Sequence, residues 1–303
     1  MRRVALFARQ RGSEVEYYYC SSDTASLDGI VIDGSIALFD GTAPHSYDTV
    51  LPGACDELVD LGRFWDARAL AHKAGSIRAL GEKKKRAYKH AYAYLAAAGE
   101  VREALESIIS PVVKWEKMSA VIRRICETDK RGDGRIAVRQ VSAFGTSGAV
   151  RLDTLTKKAE RMCAVEDYYG AAAIFMRQLY DRAVECGRTM EVSFDTLDVS
   201  TPREIYFADS GECFAVCDTS CDIPEAERRI KMKRFIDGEG LTHIRHSYRT
   251  ARNTQRDLCD LAAHQLSEAG RAHADMEKIY VANMNFSRLQ GFCAEFLERL
   301  ELE

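Results

Sequence analysis

The sequence repeats itself. Sliding the chain by 175 residues lays MRRVALFARQRG over MRQLYDRAVECG at residues 176–187. Met1, Arg2, Ala8, Gly12, Glu16, Asp23 and Ile30 then meet Met176, Arg177, Ala183, Gly187, Glu191, Asp198 and Ile205. Each copy reads as an amphipathic helix stopped by glycine, followed by a β-rich run, EVEYYY in one and TMEVSF in the other. With a short gap the match continues from SIALFDGT (35–42) to ECFAVCDTS (212–220), and LAAAGEVREALESI resembles LSEAGRAHADMEKI near the unit ends. A duplicated α/β unit is the economical reading. The polar stretch Asp129–Arg135 reads as the linker, giving units at 1–130 and 131–303.

The copies differ at their starts. The second has about forty residues ahead of the helix that matches residue 1, and the first has none. In the second unit Met162–Val165 is the expected strand and Ile174–Glu185 the expected helix, joined by Glu166-Asp-Tyr-Tyr-Gly-Ala-Ala-Ala173. An apolar strand, a loop and a helix are the opening of a nucleotide-binding βαβ plan. A phosphate loop there needs glycines for close approach, a lysine for charge, and a serine or threonine for Mg²⁺. This loop keeps one glycine, lacks the other groups, and opens with two carboxylates that repel polyphosphate. The frame of a phosphate loop is present without its chemistry.

Three further runs narrow the reading. They are Cys20-Ser-Ser-Asp23 with Ser26-Leu-Asp-Gly-Ile-Val31, Ala37-Leu-Phe-Asp-Gly-Thr-Ala-Pro-His45, and Pro52-Gly with Asp60-Leu-Gly and Trp65-Asp66. Together they resemble a bacterial family of tandem P-loop NTPase-like proteins, described as ATP-binding proteins or ATPases. The resemblance is strongest over residues 1–75 and runs more loosely to the end, including Ile279-Tyr-Val-Ala-Asn-Met-Asn-Phe286. It implies a fold of tandem P-loop NTPase-like α/β units, with mainly parallel sheets and long helical extensions. It also implies ATP and Mg²⁺ as cofactors. In that family the first unit begins with a strand and a Gly-x-x-Gly-x-Gly-Lys-Ser-Thr loop leading into a helix like Met1–Arg11. The chain is therefore expected to start just beyond that loop. The lysine's counterpart in the second unit is Ala172. One phosphate loop is lost by truncation and the other by substitution.

The candidate site residues follow from these placements. Asp40 ends the apolar strand Ile36–Phe39, the setting of a Walker-B aspartate that holds Mg²⁺, although a loop-capping aspartate without a ligand is the plainer reading. Asp218 is its repeat partner, with the same two readings. Asp23 and Cys20 follow EVEYYY and are expected at the carboxyl edge of a parallel sheet, although a turn role suits Asp23 and its partner Asp198 equally well. His45 follows Ala-Pro and is a candidate phosphate contact or general base, against the plainer reading of a loop histidine.

Other features read as structural. Cys213, Cys217 and Cys221 are spaced for a metal, but the first two share one face of a strand, which favours packed thiols. His243 and His246 share a helix side crowded by Arg245 and Arg249, and Glu82–Arg86 reads as a solvated surface. Residues 53–109 and 247–300 carry apolar side chains at helical spacings, so long helices could bind a partner protein or a second copy, or pack on their own sheets.

With 43 basic and 46 acidic residues, net charge -3, nothing calls for a nucleic acid or membrane partner. No apolar run is long enough for a signal peptide core or a membrane span, and ten scattered cysteines read as reduced thiols of a cytoplasmic protein. Two function classes stay open: an ATP-binding NTPase, impaired in nucleotide binding and hydrolysis as the chain stands, and a non-catalytic interaction protein on the same fold.

Overall fold

A computed structural model describes residues 1–42, 48–127, 132–146, 148–219 and 221–300. In chain order the elements are α1 (Arg2–Gln10), β1 (Val15–Tyr19), β2 (Leu27–Ile32), β3 (Ile36–Phe39), α2 (Ala67–His72), α3 (Ala74–Ile109) and α4 (Trp115–Cys126). There follow β4 (Ile136–Val138), β5 (Ser142–Gly145), β6 (Gly148–Arg151), α5 (Thr154–Lys158), β7 (Arg161–Glu166) and α6 (Ala171–Glu185). The chain ends with β8 (Met190–Phe194), β9 (Pro202–Phe207), β10 (Glu212–Cys217), β11 (Arg228–Lys231), α7 (Gly238–Val281) and α8 (Phe286–Arg299). It is a mixed α/β protein with two helices of 36 and 44 residues. Among the described residues no helix is long and apolar enough to cross a membrane.

The chain forms two compact units that do not follow sequence order: 1–88 with 266–303, and 89–265. The first holds a three-stranded sheet, β1-β2-β3, antiparallel throughout. For the first unit this corrects the expectation of a mainly parallel sheet and of a parallel edge beside Asp23. The cause is connection length: the links between these strands are too short for a crossover helix, so the chain must turn back as hairpins. Asp33 and Gly34, both at positive φ, make the tight turn between β2 and β3. Val4, Ala5 and Ala8 of α1 pack on Ile30 and Ile32 of β2, with Phe296, Leu297 and Leu300 against them.

The second unit has a six-stranded sheet in the order β11-β7-β10-β9-β8-β4. Strands β11, β7 and β10 run parallel, as do β8 and β4, whereas β10-β9-β8 is an antiparallel run like that of the first unit. Strand β7 and helix α6 lie where the sequence places them. Alternation divides β10 between two cores. Phe214 and Val216 join Phe175, Leu179 and Phe235 on one face, while Cys213 and Ala215 join Met162 and Leu155 on the other. Residues 53–66, expected within a long helix, are instead turns and a short 3-10 segment (Leu61–Phe64) ahead of α2.

A second pattern recurs in both units. In the second unit the nitrogens of Lys114 and Asp237 donate to the carbonyls of Phe235 and Val112, at 2.7 and 2.8 Å. In the first, the nitrogens of Asn285 and Asp66 donate to the carbonyls of Phe64 and Asn283, both at 2.8 Å. Arg63-Phe-Trp-Asp66 and Arg234-Phe-Ile-Asp237 carry this pattern. The phenylalanines are buried and each aspartate caps the helix that follows, Asp66 on Ala69 and Asp237 on Gly240. Helix α4 belongs to the core of the second unit, and α8 packs in the first.

Candidate functional site

A cavity of about 380 Å³ opens in the second unit where β7, β8 and β10 end and α6 begins. Its floor is the loop from β7 to α6. Tyr169 (φ 56°) and Gly170 (φ 76°) both take the left-handed conformation, turning the chain sharply into the helix. A side chain at Gly170 would also meet the Tyr248 hydroxyl at 3.0 Å. The Asp167 carboxylate folds back on this turn and accepts from the nitrogens of Gly170 (3.1 Å) and Ala172 (3.0 Å). Burial pushes the Tyr248 phenol up, and the charge of Asp167 adds to that.

The walls form a chain of ion pairs. Asp195, after β8, is 3 % exposed and pairs with Arg102 at 3.1 Å and Arg203 at 3.3 Å. Arg203 also donates to Asp218 at 2.8 Å. Burial works against the charge on Arg203, but Asp218 and Asp195 outweigh it and raise its pKa. Beside them Arg177 pairs with Glu106 and Asp198. Arg203 and Arg177 are each shared between two carboxylates and Arg102 pairs with Asp195, so these charges are matched from within.

The sequence candidates are divided between the units. Asp23 closes the β1–β2 turn, accepting from the Ala25 nitrogen (3.0 Å) and the Ser26 hydroxyl (2.8 Å). Asp198 does the same between β8 and β9 with Ser200 and Thr201, so this repeated pair serves as turn residues. Asp40 follows β3 and accepts from the nitrogen and hydroxyl of Thr42 (2.9 and 2.8 Å). Asp218 alone of the candidates lines the cavity. His45 lies outside the described residues. Among the described residues no group of three or more His, Cys, Asp or Glu side chains is placed to hold a metal, so Asp40 gains no companion ligand.

ATP and Mg²⁺ do not fit the cavity. The loop nitrogens of Gly170 and Ala172 already serve Asp167, the loop carries no lysine, and Asp218 is bound to Arg203. Sequence reasoning identified the two carboxylates of the loop but not that one of them satisfies its amides. It also missed Arg102, Asp195 and Arg203. Of these only Arg203 had a signal, an arginine beside a glutamate inside the largely buried strand Pro202-Arg-Glu-Ile-Tyr-Phe207. No protein family, curated protein or solved structure matches the chain.

Proposed function

We propose that the chain is built on the tandem P-loop NTPase-like plan implied by its sequence resemblance, and that its second unit is a non-catalytic binding module. The observation that carries this reading is the Asp167 carboxylate, which takes the amides a phosphate loop offers to its ligand. A nucleotide would have to expel that carboxylate and then sit beside it, without a lysine to offset the repulsion. The cavity walls support binding in place of turnover, since their carboxylates are already engaged: Asp195 and Asp218 by Arg102 and Arg203, and Asp167 by backbone amides. The unit works by holding a partner protein at its cavity and long helix. Ten free cysteines suit a reducing cytoplasm.

The test is calorimetry and a phosphate-release assay on the whole chain with Mg-ATP. The expected result is no saturable heat at the β7–α6 loop and no hydrolysis above background. Micromolar Mg-ATP affinity, or turnover abolished by a substitution at Asp218, overturns the reading.

A further inference from the structure

Helix α7 carries Arg245, Arg249, Arg252 and Arg256 at spacings of four, three and four, a row along one helix side. All four are exposed. Among the described residues none of them meets a carboxylate, and only Arg252 has a hydrogen-bond partner, the Gln255 side chain at 2.8 Å. A groove of about 440 Å³ lies along Thr242, Arg245, His246, Arg249, Thr250 and Asn253. Asn253 also lines the cavity described above, together with Arg252 and Arg256, so groove and cavity adjoin at that residue.

The two halves differ in chemistry. In the cavity Asp195 and Asp218 are matched by arginines and Asp167 by backbone amides, and Leu105, Phe144 and Val216 supply apolar wall. The uncompensated charge is the row on α7. A ligand complementary to both has several carboxylates at one end and an apolar side chain at the other. Guanidinium forks match carboxylates in pairs of parallel hydrogen bonds.

We infer that the α7 groove and its cavity bind an acidic peptide segment of a partner protein, carboxylates on the arginine row and an apolar residue in the cavity. Among the described residues no Phe, Tyr or Trp lines the groove, so His246 is its one ring for stacking a base, too little for a single-stranded nucleic acid platform. A polyphosphate reaching the cavity would meet Asp167 and Asp218. This inference rests on the second unit being a binding module, and names its ligand. The two fail separately: Mg-ATP turnover would sink the non-catalytic reading, whereas the peptide titration is read through Arg245 and Arg249, which line the groove and not the cavity.

The experiment is fluorescence anisotropy of a labelled peptide, one leucine followed by six glutamates, against the full chain. Saturable binding is expected at low salt, weakening sharply toward roughly 0.3 M salt. The R245Q/R249Q variant, whose changes lie on an exposed helix side and leave the melting curve intact, should bind about tenfold more weakly. Replacing the peptide's leucine by serine should also weaken binding. Absence of saturable binding, equal affinity of wild type and variant, or tighter binding of a thymidine oligonucleotide or tripolyphosphate of equal charge would overturn the inference.

Discussion

The carboxylate of Asp167 lies 3.0 Å from the backbone nitrogen of Ala172, the position at which the resembled family would place its phosphate-loop lysine. Ala172 is a small residue, and the anion bonded to its nitrogen is the protein's own side chain. That contact satisfies an amide in the first turn of α6.

Removing the carboxylate therefore exposes two helix-start amides. Asp167→Ala is expected to destabilise the second unit by about 1 kcal/mol, the usual cost of a lost cap. Added sulfate should recover part of that loss in the variant and little in the wild type, because only the variant has amides to offer. Thermal unfolding with and without sulfate reads both effects. A variant as stable as wild type would mean that the contact contributes nothing.

Arg188 and Asp209 make the most deeply buried ion pair among the described residues, with side chains 1 % and 5 % exposed. The guanidinium also donates to the Ile125 carbonyl and the Ser210 hydroxyl and lies over the Phe207 ring. Arg188→Met strands the Asp209 carboxylate and should cost about 3–5 kcal/mol in denaturant unfolding. The R188M/D209L double variant should recover much of that, since no uncompensated charge is left. Equal losses in single and double variants would show that packing, not charge, dominates there.

Asp198 sets a pH dependence. Burial alone would raise its pKa, but hydrogen bonds from Ser200 and Thr201 and the charge of Arg177 outweigh it and hold it at about 2. With the folded value below the unfolded one near pH 4, its contribution is present above pH 4 and lost as pH falls toward 2. The stability gap between wild type and Asp198→Asn should therefore shrink over that window, by on the order of 1 kcal/mol after solvent screening. Urea unfolding at pH 5 and pH 2.5 measures it. A constant gap would assign the effect to something other than ionisation.

Much of this architecture was legible in the residues. The 175-residue offset that aligns Glu16 with Glu191 also carries β1 onto β8 and β2 onto β9, end for end. Local pattern sufficed because helix and strand periods are written in neighbouring residues. Strand direction is not: EVEYYY reads the same in a parallel or an antiparallel sheet, and only the short links to β2 and β3 decide. The placement of α4 and α8 was harder still, since the hydrogen bonds of Phe235 to Lys114 and of Phe64 to Asn285 span more than a hundred residues. The signal existed in the twin Arg-Phe-x-Asp runs at 63–66 and 234–237. Apart from Arg203 within its strand, the Arg102–Asp195–Arg203–Asp218 chain had no local signature, because its members meet only after α3, β8, β9 and β10 have come together.

Two glycines of α3 separate helix propensity from packing. Both sit inside the helix, where alanine is favoured by about 1 kcal/mol. At Gly81 an added methyl group meets nothing within 4 Å, so Gly81→Ala should stabilise the first unit by up to that amount. At Gly99 the same group would lie 2.8 Å from the Leu197 carbonyl oxygen, a backbone atom that cannot rotate away. Overpacking of this kind costs about 1–3 kcal/mol, which outweighs the propensity gain. Gly99→Ala should therefore lower the melting temperature of the second unit while Gly81→Ala raises that of the first. Where the units unfold in separate transitions, each variant should move only its own. A rise in both variants would mean that α3 is not held against the 195–197 loop as closely as these distances require.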